Sequence, residues 1–260
     1  MYSNKDHRKA LNFLGSNLIF LDKKDILELF LKNKQQVQEM VHIVSINPEN
    51  VVCMKQDKVF ERVVTKAQGH IPDGIGIVIA AQILYGRNVS RLTGVDTMEY
   101  LLTVAGNQRM RAVLIGGRSK LAESIANCYK KRYPGFEITG IEGYKDIRKC
   151  KNAETEGIFH IVSTAKPHLV FVAFGSPWQE KWIDDHRTQF TGSVVMGVGG
   201  SFDLLSKSLV RAPILLQKFG LEWLFRLIQE PHRFRRQLQL VVYIKYVIQE
   251  CITRMRLWDN

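Results

Sequence analysis

The stretch VMGVGGSFDLLSKSLVRAPILLQKFGLEWLFRLIQEPHRFRR, Val195–Arg236, joins two kinds of chain. It begins inside Val194–Val198, an apolar run with no alternation, which Gly199-Gly200 ends and Asp203 follows. A strand without a polar face is buried on both sides, the habit of parallel sheets covered by helices. The second half reads as helix and turns basic and aromatic.

Working outward, the same strand pattern recurs at Met40–Ile46, Arg111–Ile115, Phe136–Ile141 and Leu169–Phe174. Helical spacing separates these runs near Lys24–Gln36 (Ile26, Leu29, Phe30, Val37), Asp57–Gln68, Leu121–Tyr133 and Glu154–Thr164. The expected fold is α/β: a Rossmann-like, mainly parallel sheet with helices on both faces, plus a basic α-helical C-terminal appendage. Residues 1–204 are expected to form the ligand-binding unit and 205–260 the appendage, with helices over Pro213–Gln229 and Pro231–Glu250.

The 260 residues carry a net charge of +12, with 45% hydrophobic and 24% charged side chains. That is a globular composition with an unusual charge, which points to an anionic partner. Lys207–Asn260 holds ten Lys and Arg against four Asp and Glu, half of the net charge in about a fifth of the length. Cys53, Cys128, Cys150 and Cys251 form no CxxC pair and read as free thiols in a reducing compartment. The N-terminus has no signal-peptide core, and no apolar window reaches the ~18 residues of a membrane span. The protein is expected in the cytoplasm or on a membrane face.

Ligands of such sheets collect beyond the carboxyl ends of strands. Five clusters fall there: Ser45–Asn47, Asp73-Gly74, Gly116-Gly117, Gly175–Gln179 and Gly199–Asp203. Asn47-Pro48 also reads as a helix cap. Asp73, between Pro72 and Gly74, is the candidate general base, with helix capping as its plainer role. Asp203 suits ribose hydroxyls or a cap. Gln179 offers an amide to a phosphate or sugar oxygen, or simply faces solvent. The glycine turns make tight bends and can present bare amides to a diphosphate. No GxGxxG, GxxxxGK[ST], DxD or HExxH occurs, so dinucleotide, P-loop and acidic metal-clamp signatures are missing. The tail suits a solvated face, nucleic acid or a membrane surface. Its interleaved cations and aromatics favour the membrane, at roughly 1 kcal/mol per Lys or Arg.

PDGIGIV (72–78), RLTGVD (91–96), LIGG (114–117), FGSPWQE (174–180), GVGGSFD (197–203), RAP (211–213) and GLEWLFRLIQEPHRFRRQ (220–237) together resemble the WecG/TagA/CpsF family of bacterial glycosyltransferases. The resemblance spans about residues 18–240. It implies inverting, metal-independent transfer from a UDP-sugar to a polyprenyl-diphosphate-linked glycan, feeding teichoic acid or another surface polysaccharide. It places Asp73, Ser45 and Gln179 in catalysis, Ser45 standing where the family has threonine. Asn47, Arg91, Gly116, Gly117, Gly199, Gly200 and Asp203 would meet the UDP-sugar. Arg226, Arg233 and Arg236 would meet the acceptor diphosphate. No cofactor and no metal are expected. The expected partners are UDP-sugar, lipid-linked acceptor and the anionic inner face of the cytoplasmic membrane, with homo-oligomers left open and nucleic acid not expected. GLEWLFRLIQE then reads as a hinge-like link that swings the arginines over the pocket on docking. A nucleotide-binding oxidoreductase or a nucleic-acid module using the tail are the alternatives.

Overall fold

The computed structural model describes residues 10–35, 39–118, 120–144, 146–150 and 152–258. Residues 1–9, and Gln36 and Val37 of the first expected helix, lie outside the described residues. A hairpin of β1 (Leu11–Phe13) and β2 (Ser16–Leu18) opens the fold. Then come α1 (Lys23–Gln35), β3 (Val41–Ile46), α2 (Pro48–Gln56), α3 (Lys58–Thr65), β4 (Gly69–Pro72), α4 (Ile75–Tyr85) and α5 (Gly94–Asn107). The centre continues with β5 (Arg111–Gly116), α6 (Leu121–Arg132), β6 (Glu137–Ile141), α7 (Asn152–Ala165), β7 (Leu169–Ala173), α8 (Trp178–Asp185), β8 (Val194–Gly197) and α9 (Ser201–Leu205). Strands β3 to β8 make one six-stranded sheet in the order β4-β3-β8-β7-β5-β6, every neighbour parallel.

The apolar runs have no alternation because both faces are covered. In β7, Leu169 and Phe171 enter the core beneath α1, α5 and α6, while Val170 and Val172 enter the core beneath α7 and α8. In β5, Ala112 and Leu114 face the first core and Val113 and Ile115 the second. Burying each large side chain contributes about 1.5–3 kcal/mol, so the central strands carry much of the sheet's stability.

The C-terminal segment departs from the expected pair of helices. Pro213–Gln229 splits into α10 (Ile214–Lys218) and α11 (Glu222–Gln229). Gly220 breaks it, at φ +72°, with its backbone so close to α4 that a Cβ there would sit 2.6 Å from Ile75. After a 3₁₀ turn at Pro231–Arg233, α12 runs Phe234–Trp258, longer than expected. It packs on α2 and α4. Tyr243 is buried in that contact and donates its hydroxyl hydrogen to Gly76 O at 3.0 Å.

Three smaller differences have local causes. The helix expected over Asp57–Gln68 begins where expected, with Asp57 Oδ1 capping it by accepting from the Val59 and Phe60 amides, but α3 ends at Thr65 as the chain turns into β4. β4, with glycine at one end and proline at the other, carries too few strand formers to read as a strand. The β1–β2 hairpin is equally short, and its stability comes from packing on α3 and α4 rather than from its pattern.

A candidate active site at the carboxyl ends of the central strands

The ends of β4, β3, β8 and β7 are neighbours, and a cavity of about 430 Å³ opens above them. Four of the five strand-end clusters meet there. Ser45, Asn47, Asp73, Gln179, Gly199 and Gly200 line it, with Arg91 from the loop before α5. Gly116, Gly117 and Asp203 do not line it. β5 lies beyond β7 in the sheet, and the rings of Phe174 and Phe202 pack against Gly116 and Gly117. Asp203 instead faces the Arg118 guanidinium at 3.5 Å.

Asp73 does not cap its own helix. Gly74 occupies the cap of α4, with no side-chain hydrogen bond there. The Asp73 amide donates to Ile46 O at 2.8 Å, which pins the turn to β3. Its Oδ2 accepts from Ser45 Oγ at 3.1 Å and from the Gly94 amide at 3.3 Å, at the start of α5. Asn47 does cap, its Oδ1 accepting from the Asn50 amide at 2.9 Å. Asn50 Nδ2 in turn donates to Ser45 O at 2.7 Å, fixing the end of β3.

Burial raises the Asp73 pKa above the ordinary aspartate value. The Gly94 and Ser45 hydrogen bonds and the nearby Arg91 charge pull it down, and Glu222 adds to the rise. A carboxylate so placed, at a cavity wall, can accept a proton when it is ionised.

Gln179 is a brace. Its Oε1 accepts from the Gly175 and Gly199 amides, both at 3.0 Å, tying the turns after β7 and β8 together. Its Nε2 donates to Glu180 Oε1 at 2.7 Å. The Gly199 amide is therefore engaged inside the protein rather than bare. Glu180 is 1% exposed, and burial raises its pKa.

The arginines of the C-terminal segment already stand at this cavity. Arg226, Arg233 and Arg236 all line it in this conformation, with no swing of the GLEWLFRLIQE link. Arg236 makes a two-pronged pair with Glu49, both contacts 2.8 Å. The Arg226 guanidinium lies across Gly200, where a Cβ would come within 2.2 Å of its Nη2. Arg91 bonds the Gln217 carbonyl and the Glu222 carboxylate, joining the core to α11.

A family model described as "Glycosyl transferase WecG/TagA/CpsF family" matches residues 11–257, nearly the whole chain. The chain belongs to the WecG/TagA/CpsF glycosyltransferase family. Similar curated proteins include one from Bacillus subtilis (strain 168), 33% identical over 209 residues, covering 80% of this chain and 79% of that protein. A second, from Bacillus spizizenii, is 34% identical over 209 residues, covering 80% and 78%. A third, from Staphylococcus aureus (strain MW2), is 28% identical over 228 residues, covering 88% and 87%. All three are named N-acetylglucosaminyldiphosphoundecaprenol N-acetyl-beta-D-mannosaminyltransferase.

In this WecG/TagA/CpsF glycosyltransferase, the residues that sequence reading passed over are mostly carboxylates. Glu49 holds Arg236, Glu222 holds Arg91 and Arg211, and Glu230 holds Arg226 and Arg233. The spacing of Arg226, Glu230 and Arg233, four and three residues apart, was the available signal.

Gly200→Ala tests the packing of Arg226. Gly200 has φ −77°, open to alanine, and the group in the way is the end of a flexible side chain. The variant should stay folded at a cost of about 1 kcal/mol, because only a flexible side chain must move. Its transfer activity should fall nonetheless, because Arg226 is pushed off its seat. Thermal unfolding and initial rates on the same preparation check both.

Proposed function

We propose that this enzyme transfers N-acetylmannosamine from its UDP-sugar to a polyprenyl-diphosphate-linked N-acetylglucosamine, with inversion and without a metal, in surface-polymer synthesis such as that of teichoic acid. The observation that carries the proposal is one cavity lined by Asp73 and by Arg226, Arg233 and Arg236 of the C-terminal segment. The relatives' names supply the acceptor and the sugar. Those names specify a β-linked product, whereas such a nucleotide donor carries an α bond, which supports inversion.

Asp73 removes the proton from the acceptor hydroxyl as its oxygen bonds the anomeric carbon. The bond from that carbon to UDP breaks on the opposite face, and the electron pair leaves with the diphosphate. Ser45 and the Gly94 amide hold the Asp73 carboxylate in place. Arg91, Asn47, Gly199 and Gly200 are proposed to serve the donor, and Gln179 to keep the turns around it rigid. Gly116, Gly117 and Asp203 would reach a donor only if its uridine end extends past Phe174 and Phe202. Arg226, Arg233 and Arg236 are proposed to bind the acceptor's diphosphate, since a guanidinium fork matches phosphate geometry. Arginines near the departing diphosphate supply the charge stabilisation that a metal gives elsewhere.

The cavity mouth favours a membrane. Trp223, Phe225 and Arg226 line it, and Ile214, Leu215, Phe219 and Ile228 stand exposed nearby on α10, α11 and the turn between them. Among the described residues no helix is long and apolar enough to cross a bilayer. Apolar side chains beside cations suit docking on the cytoplasmic face of an anionic membrane. The unit boundary near residue 204 remains a proposal that separates donor-side from membrane-side work.

A UDP-release assay with a panel of UDP-sugars and a short-chain acceptor tests this reading. UDP-N-acetylmannosamine should be the productive donor, only with acceptor present, at a rate that EDTA leaves unchanged. Release from UDP-glucose alone, or collapse of the rate in EDTA, would overturn the donor or the metal part.

A further inference from the structure

Behind the arginine wall sits a carboxylate that does not line the cavity. Glu230 closes α11, and its side chain is 8% exposed. Its Oε2 lies 3.1 Å from Arg226 Nε and 2.7 Å from Arg233 Nε. Both arginines line the cavity and Glu230 is not among the lining residues. Arg118, an exposed side chain just after β5, approaches Glu230 Oε1 at 3.8 Å.

Two guanidinium groups in one wall repel each other. Burial and the Arg226 charge both disfavour the charged form of Arg233. Without a counter-charge, the long side chains gain by turning out to water. One shared carboxylate oxygen removes that drive. It holds the Nε edge of Arg226 by a hydrogen bond and that of Arg233 by charge, so the pairing does not need the terminal amino groups; Arg226 Nη2 lies 3.5 Å from Gly200 O. Two arginines against one carboxylate leave net positive charge, so the wall still attracts an anion. Gly200 completes the arrangement by letting the Arg226 guanidinium lie flat against the backbone.

We propose that Glu230 is a positioning residue for the acceptor's diphosphate, holding Arg226 and Arg233 from behind so that their terminal amino groups meet the phosphates. The inference rests on the reading of these arginines as diphosphate ligands. Glu230 touches no reacting atom. It acts through the two arginines, so its loss falls on acceptor affinity and spares the donor and the chemical step.

The test compares the full chain with Glu230→Ala, Glu230→Gln and Arg226→Ala, using a short-chain polyprenyl-diphosphate-linked N-acetylglucosamine as acceptor. Glu230→Ala should raise acceptor KM about tenfold or more. Its kcat at saturating acceptor, and its UDP affinity by calorimetry, should stay within about threefold of wild type. Glu230→Gln keeps an oxygen for one Nε but lacks the charge, so its KM should fall between; it carries the test alone if the alanine variant does not fold. A wild-type acceptor KM in the glutamate variants, with a raised KM in Arg226→Ala, overturns the inference and leaves the arginine reading standing. Equal losses in acceptor KM and UDP affinity overturn it as well, because they indicate general damage to the fold. If Arg226→Ala also keeps a wild-type acceptor KM, the arginine reading fails, and the inference with it.

Discussion

Asp73→Asn should lose transfer by about 10²–10⁴-fold in kcat while still binding UDP, because the amide keeps the shape of the carboxyl but cannot take the acceptor's proton. The side chain still meets Ser45 Oγ and the Gly94 amide through one oxygen, so the turn after β4 should keep its place. The same variant should be more stable than wild type at neutral pH. Burial raises the folded-state pKa of Asp73, so the folded chain binds this proton more tightly than the unfolded chain. That contribution is whole below the unfolded value of about 4 and is lost as pH rises through the folded value. Asparagine has no charge to bury, so its advantage in melting temperature should shrink as pH falls toward about 4. Steady-state rates, UDP calorimetry and melting across pH check the three parts. Near wild-type turnover would remove Asp73 from the role of base.

Arg226→Ala should lower kcat/KM for the lipid-linked acceptor by about 30-fold or more, the size expected when a partly buried, charge-assisted contact is removed. Arg226 contacts both Gly200, in the turn proposed to serve the donor, and Glu230, behind the wall proposed to meet the acceptor. Removing it leaves Glu230 with Arg233 and Arg118 and empties the space above Gly200. Arg226→Lys should recover little, since an ammonium cannot hold Glu230 and a phosphate at once as a fork does. Acceptor titrations at fixed donor, with UDP binding as the control, measure it. An unchanged kcat/KM would separate the C-terminal arginines from catalysis.

The sheet was legible in the sequence because burial on both faces writes itself as unbroken apolar runs, as in Arg111–Gly116 and Leu169–Ala173. The meeting of Ser45, Gln179 and Gly199 was legible for the same reason: each ends or follows such a strand, and parallel strands end on one side. Asp73 follows β4, which does not read as a strand, and only its Pro-Asp-Gly turn marked it. Strand order was not legible. Gly116 and Gly117 end β5 as plainly as Gly199 follows β8, yet the sheet sets β5 beyond β7 and away from the cavity. Whether Asp73 capped a helix or faced the pocket was also undecided, since both need a carboxylate at a turn. The contact with Gly94 decides it, twenty-one residues away in sequence. The break at Gly220 was hidden because a lone glycine is tolerated in helices. What requires it is Ile75, distant in sequence.

The most direct measurement is the structure of the product. Wild-type enzyme, UDP-N-acetylmannosamine and the short-chain lipid-diphosphate acceptor are incubated with EDTA, and the extended lipid is examined by mass spectrometry and by the anomeric couplings in its NMR spectrum. A single displacement assisted by Asp73 gives one added N-acetylmannosamine in β linkage. An α-linked product, or no extended lipid from the folded enzyme, would contradict it.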